Sequence, residues 1–201
     1  MYQSSQIKIW KLKTSKEELI DLGKAWAAIS LAFGILIYSN PSTNLEFWEI
    51  VMISVFTVGT GFLLHELAHK IVAQRYGCFA EFRSFDHMLM LAIVFAFIGF
   101  IYAAPGAVFI LGPVGTRRNG IISAAGPVTN LIIAGILLLL IQTFGNNPIF
   151  SYGMSINTWL ALFNMIPFLN FDGQKIWAWN KTAYFLILIA GAGFMVMSMI
   201  N

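Results

Sequence analysis

The sequence predicts an all-α polytopic membrane protein with about six membrane helices and one small re-entrant extended or β element. Of the 201 residues, 58% are hydrophobic and 10% are charged. Soluble domains average ~45–50% apolar and ~25% charged residues, so this chain has too few charges to coat a surface facing water. The mean hydropathy of +0.76 agrees. The apolar residues also gather in runs long enough for a bilayer crossing, which takes about 20 residues. A soluble globular domain is excluded.

Residues 1–18 are polar and basic (Lys8, Lys11, Lys13, Lys16) and lack the apolar core and small-residue cleavage site of a removed signal peptide. They are expected to be a cytoplasmic N-terminal segment, with residues 19–201 forming one membrane domain. The first helix is expected at about 19–38. The second, about 47–76, is long enough to tilt or to project beyond the hydrocarbon, and Gly77 stops it. A third apolar stretch covers about 88–104 and ends at the turn signal Pro105-Gly106. Residues 105–116 follow, with the strand formers Ala107-Val108-Phe109-Ile110-Leu111 closed by Gly112-Pro113; this stretch reads as extended. The fourth helix is expected at 127–144, because proline suits a first helical turn. The fifth and sixth are expected at about 152–168 and 182–200. No repeat or low-complexity region interrupts them.

Charge placement bears on topology. Loops 39–46 and 145–151 contain no Lys or Arg, whereas the N-terminus, the 70–83 region, Arg117-Arg118 and Lys175/Lys181 hold nearly all of them. If 88–104 were a simple crossing, the last two clusters would fall outside, against the positive-inside rule. If 88–116 enters and returns, every basic cluster falls on the cytoplasmic side, and this is the preferred reading. Such a return is tolerable where the strand is buried in protein or lines a wet cavity. The basic residues read as orientation signals rather than as a nucleic-acid patch, so no nucleic-acid partner is expected. Cys78 is alone, which excludes an internal disulfide and a cysteine-rich metal site.

The informative pentapeptide is His65-Glu66-Leu67-Ala68-His69, inside the second helix. Positions i and i+4 stack on one helical face, so both imidazoles can reach one metal ion. Glu66 borders that face, close enough to handle the proton of a metal-bound water. This is the HExxH arrangement of zinc hydrolases. Its surroundings sharpen the match, since a charged side chain at the centre of a membrane helix costs ~2.5–3.5 kcal/mol on insertion scales. A bound dication in a hydrated cavity offsets that cost better than a polar cluster that merely holds helices together.

Catalytic zinc takes three protein ligands and keeps a position open for water. Downstream of His69 the remaining donors are Glu81, Asp86, His87 and Asp172. Asp172 follows the fifth span in Asn170-Phe171-Asp172-Gly173, on the end nearer His65 and His69 if the chain is re-entrant; the other three are expected at the interface. Two asparagines also stand out. Asn164 lies three residues before Pro167, which cannot donate to the Phe163 carbonyl. Asn130 follows Gly126-Pro127 at the start of the fourth helix, where orphan N–H groups cluster. Each either satisfies local backbone or holds a substrate and its developing oxyanion.

Taken together, His65-Glu66-Leu67-Ala68-His69, Gly126-Pro127-Val128-Thr129-Asn130 and Asn164-Met165-Ile166-Pro167 leading to Asp172-Gly173 resemble the site-2 protease family of intramembrane zinc metalloproteases. The resemblance covers most of the chain, although the spacing from Pro167 to Asp172-Gly173 is longer than in the tightest form of the family motif. It implies one Zn2+ per chain on His65, His69 and Asp172, with Glu66 as general base and acid. Asn130 and Asn164 become candidates for substrate contact. It further implies a multi-pass protein of the cell membrane whose active-site side is cytoplasmic, and a transmembrane protein as substrate. A re-entrant β-hairpin, as the family often has, could be supplied by 107–111, and the chain looks like a minimal core without a regulatory domain. A truncated C-terminal domain is left open, as is the oligomeric state. Two rivals are a prenyl-protein endopeptidase type, which needs a downstream Glu as third ligand, and a non-enzymatic zinc transporter or metal-dependent scaffold.

Overall fold

The computed structural model describes residues 6–9, 12–41, 43–100 and 105–200. Strands β1 (Gln6–Ile9) and β2 (Leu12–Ser15) form an antiparallel hairpin within the segment expected only as a polar arm. Helix α1 (Lys16–Tyr38) begins earlier than residue 19 because Ser15 caps it. The Ser15 side chain accepts the Glu18 N–H at 3.1 Å, and Glu17 and Glu18 complement the positive end of the helix dipole.

One helical rod, Phe47–Arg75, follows. It comprises α2 (Phe47–Met52), a π-helical segment (Ile53–Gly59) and α3 (Thr60–Arg75). Gly77, at φ +76°, stops it as expected. The π segment packs on α1. Gly59 lies so close to α1 that a Cβ there would come within 2.6 Å of the Trp26 ring.

Strand β3 (Phe79–Ser84) was not expected, although its apolar Ala80 and Phe82 alternate with the charged Glu81 and Arg83 at the period of a strand; the fold buries Ala80, Glu81 and Phe82 alike. After helix α4 (Asp86–Phe97), the chain returns as β4 (Gly106–Leu111), antiparallel to β3 with Gly106 opposite Ser84 and Leu111 opposite Phe79. The excursion that leaves at Ser84 therefore comes back beside it. The 12 residues of α4 span about 18 Å, short of a ~30 Å hydrocarbon core. The end expected for this helix, residue 104, lies outside the described residues.

Helix α5 (Thr116–Phe144) corrects two boundaries: the extended stretch ends at Leu111 rather than 116, and the helix does not start at Pro127. Pro127 is instead interior, where it removes one backbone hydrogen bond and displaces the carbonyl four residues before it. Helix α6 (Pro148–Asn164) also starts earlier than expected. Asn147 caps it by accepting the Ile149 N–H at 2.9 Å, and Pro148 occupies the first turn. Helices α7 (Asp172–Trp179) and α8 (Lys181–Ile200) complete the described chain.

Among the described residues, four helices are long and apolar enough to cross a membrane: α1, the 47–75 rod, α5 and α8. The expected count of about six is not confirmed among the described residues: α4 and the 17-residue α6 are shorter, α4 ending before Gly99 in a left-handed conformation and α6 before Pro167. Helix α5 is the centre of the fold and packs against α3, α6 and α7. Leu186, Ile189 and Met199 of α8 point outward, as lipid-facing residues do.

Candidate metal centre

His65 and His69 stand one turn apart on α3, their rings 4.7 Å apart and nearly perpendicular. They face one stripe of α5, made by Ile122, Gly126 and Asn130 at successive intervals of four residues. His69 Nδ1 lies 2.8 Å from the Ile122 carbonyl oxygen, and His65 Nδ1 lies 2.5 Å from Asn130 Oδ1. The Asn130 amide has only one consistent orientation. Its Nδ2 donates to the Gly61 carbonyl at 3.3 Å and to Asn157 Oδ1 at 3.0 Å, while Asn157 Nδ2 donates to the Gly153 carbonyl at 2.9 Å. Asn130 Oδ1 must therefore accept, and His65 Nδ1 must carry the proton. A carbonyl likewise can only accept from His69. Both imidazoles are thus held in the tautomer that turns a bare Nε2 lone pair towards the same point, the arrangement that outer partners impose on metal-binding histidines.

Asp172 reaches that point from α7. Its Oδ2 is 3.3 Å from His65 Nε2 and 3.1 Å from His69 Nε2. Among the described residues these three side chains form a group able to hold a metal ion, with ligand atoms all within 4.8 Å of one another. All three are buried. Zinc bonds of ~2.0–2.1 Å in a tetrahedron put neighbouring donors about 3.3 Å apart, so this set fits the ion. The space fits as well. A Cβ on Gly126 would lie 2.5 Å from His69 Nε2 and closer still to His65 Nε2, so glycine leaves open the volume in front of both nitrogens.

The link between α6 and α7 carries Asp172 into place. Leu169 and Asn170 both adopt left-handed conformations, at φ 56° and 62°. These reverse the chain so that the start of α7 tucks against the end of α6. A Cβ on Gly173 would come within 2.8 Å of the Ile166 carbonyl oxygen and closer to that of Met165. Asn164 lines the cavity in front of the site and spends one amide hydrogen on the Leu160 carbonyl at 2.9 Å. The Phe163 carbonyl, which Pro167 cannot serve, is taken by the Ile166 N–H at 3.2 Å. Asn130 is fully buried behind His65, not at the cavity wall.

The other candidate donors lie elsewhere. Glu81 bonds Ser15 and pairs with Arg83 at 3.0 Å. Asp86 pairs with Lys24 at 3.2 Å, and His87 is exposed. The site opens onto a cavity of about 380 Å³ lined by Glu66, Phe62, Trp159, Phe163, Val108 and Lys175, among others. Ile122, Asn157 and Lys175 were missed from the sequence. Asn157 alone carried a signal, as an amide inside an apolar helix; a backbone acceptor such as Ile122 carries none.

Known zinc metalloproteases are similar to the chain, one of them along nearly its whole length. A protein of Methanocaldococcus jannaschii provisionally named a zinc metalloprotease, MJ0611, is 35% identical over 191 residues, covering 92% of this chain and 96% of its own. The chain belongs to the zinc metalloproteases. A second metalloprotease of the same organism, the longer MJ0392, is 28% identical over 146 residues, 71% of this chain and 37% of its own. A third, YwhC of Bacillus subtilis, also provisionally named, is 32% identical over 149 residues, 61% of this chain and 66% of its own. No family model and no solved structure matches. Zinc is the metal that these metalloproteases are named for, and His65, His69 and Asp172 can bind one such ion.

Asn130→Leu removes the acceptor that fixes His65. Zinc affinity, measured by competition with a chelator, is expected to fall ~10–100-fold, as for other outer partners of metal ligands.

Proposed function

We propose that this zinc metalloprotease is of the site-2 type and hydrolyses a peptide bond within or near a transmembrane segment of a membrane-protein substrate. The observation that carries this reading is the burial of His65, His69 and Asp172 against a cavity whose walls are largely apolar helices and one strand, with Glu66 on its lining. His65, His69 and Asp172 hold the metal. When bound, zinc polarises the scissile carbonyl and brings the pKa of the attacking water to about 7. The Glu66 carboxylate takes the proton from that water and delivers it to the leaving amine nitrogen. The Asn164 amide, on the cavity wall, holds the substrate carbonyl or its oxyanion, and Asn130 acts through His65.

A transmembrane helix must unwind before its peptide bond is accessible, and its freed backbone groups then need partners, because lipid supplies none. Gly106, Ala107, Val108 and Ile110 of β4 line the cavity. An extended substrate segment adds to the β4 edge not occupied by β3. The protein sits as a multi-pass protein in the cell membrane, with its basic N-terminal segment and the open side of the site facing the cytoplasm.

The decisive test combines metal analysis with cleavage of a transmembrane substrate in proteoliposomes. Wild type is expected to hold one zinc per chain and to cleave, and Asp172→Ala to lose both zinc and cleavage. Zinc uptake without any proteolysis would replace this reading with transport.

A further inference from the structure

Lys70 directly follows the second histidine, yet its ammonium points away from the metal centre and ends 2% exposed between α1 and β3. There it meets Glu18, which has no exposed surface. Both oxygens of the Glu18 carboxylate are engaged. One oxygen accepts the Phe82 N–H of β3 at 2.9 Å; the other accepts Thr14 Oγ1 at 2.6 Å and Lys70 Nζ. One side chain at the start of α1 thus joins the zinc-bearing helix to a backbone amide of the β3–β4 ribbon.

The Phe82 amide is well placed for that purpose. Phe82 is paired with Val108, which lines the cavity, and its ring lies against Gly106, where a Cβ would clash with it. The Phe82 ring also packs edge-on against Phe62 of α3, 6.0 Å between centroids. The N–H that Glu18 takes belongs to the β3 edge away from β4, so this contact leaves the cavity edge of β4 free.

We propose that Glu18 and Lys70 form a positioning pair that sets the height of the β3–β4 ribbon against α3, and so places the docked substrate backbone relative to His65 and His69. This inference rests on the proteolytic reading above. The pair touches neither metal nor substrate, so its loss acts on docking: Glu18 holds the strand through Phe82, while Lys70 holds the buried carboxylate in place.

Three variants test it in proteoliposomes, each read by zinc content, kcat and KM for a transmembrane substrate, and amide hydrogen exchange over 79–84 and 106–111. Glu18→Ala drops the strand, and KM is expected to rise about tenfold with kcat within about twofold, since a misplaced contact far from the chemistry is costly. Zinc stays at one per chain and exchange in both strands accelerates. The double variant Glu18→Gln, Lys70→Met removes both charges but retains an acceptor for the Phe82 N–H, and is expected to restore KM and protection. Should Glu18→Ala not fold, Glu18→Asp keeps the charge but withdraws it by one methylene, and the same shifts are expected at smaller amplitude. Unchanged exchange in the two strands overturns the proposal, as does parallel loss of zinc, kcat and KM. If no substrate is cleaved by wild type, the proteolytic reading fails, while the exchange readout still decides the coupling of α1, α3 and β3.

Discussion

Glu66→Gln is expected to abolish cleavage while one zinc per chain remains bound. The expected loss in single-turnover rate is at least about 10³-fold, within the ~10²–10⁴ that a positioned general acid or base supplies. The amide matches the carboxylate in shape but can neither take the proton from water nor return it to the departing nitrogen. His65, His69 and Asp172 gather without Glu66, so the substitution leaves the donor set intact. Rate and metal content, measured on the same preparation, separate the two roles. Retained cleavage removes Glu66 from the chemistry, and lost zinc makes it a ligand.

Gly126→Ala has the opposite signature: the metal is lost while the fold persists. The new methyl group would fall in front of both Nε2 atoms. The imidazoles have little freedom to yield, because Ile122 and Asn130 grip them from behind. The fall in zinc affinity is expected to exceed the ~10–100-fold of an outer-partner loss. Gly135→Ala on the same helix is the control, since its Cβ makes only an ordinary 3.4 Å contact with Phe194. Chelator competition on both variants, alongside thermal unfolding of the metal-free proteins, checks the assignment. Equal zinc affinity in the two would mean that the metal does not occupy the space in front of Gly126.

The membrane character, the long helices and the three side chains that can hold a metal ion were all legible in the sequence. Their signals are local or chemical: uninterrupted apolar length, an i, i+4 histidine pair, and ionisable residues where lipid tolerates few. Helix ends were read less well. Capping by Ser15 and Asn147 lies outside the apolar runs, and Pro127, suited to a first turn, sits mid-helix because tertiary packing overrides its preference. Strand β3 hid behind its charged Glu81 and Arg83, which the fold pairs with each other. Asn130 was visible as a polar residue near the site, but its partner was not. Whether an amide faces substrate or the back of a histidine depends on the register between α3 and α5, which no single helix encodes.

The turn through Leu169 and Asn170 also orders events during biosynthesis. The ribosome makes both imidazoles early and the third donor late, on a short helix that must first fold back against α6. Two histidines alone are an incomplete chelate for a catalytic zinc, which takes three protein ligands. A nascent chain still emerging at α6 therefore lacks one of the three donors of its metal site.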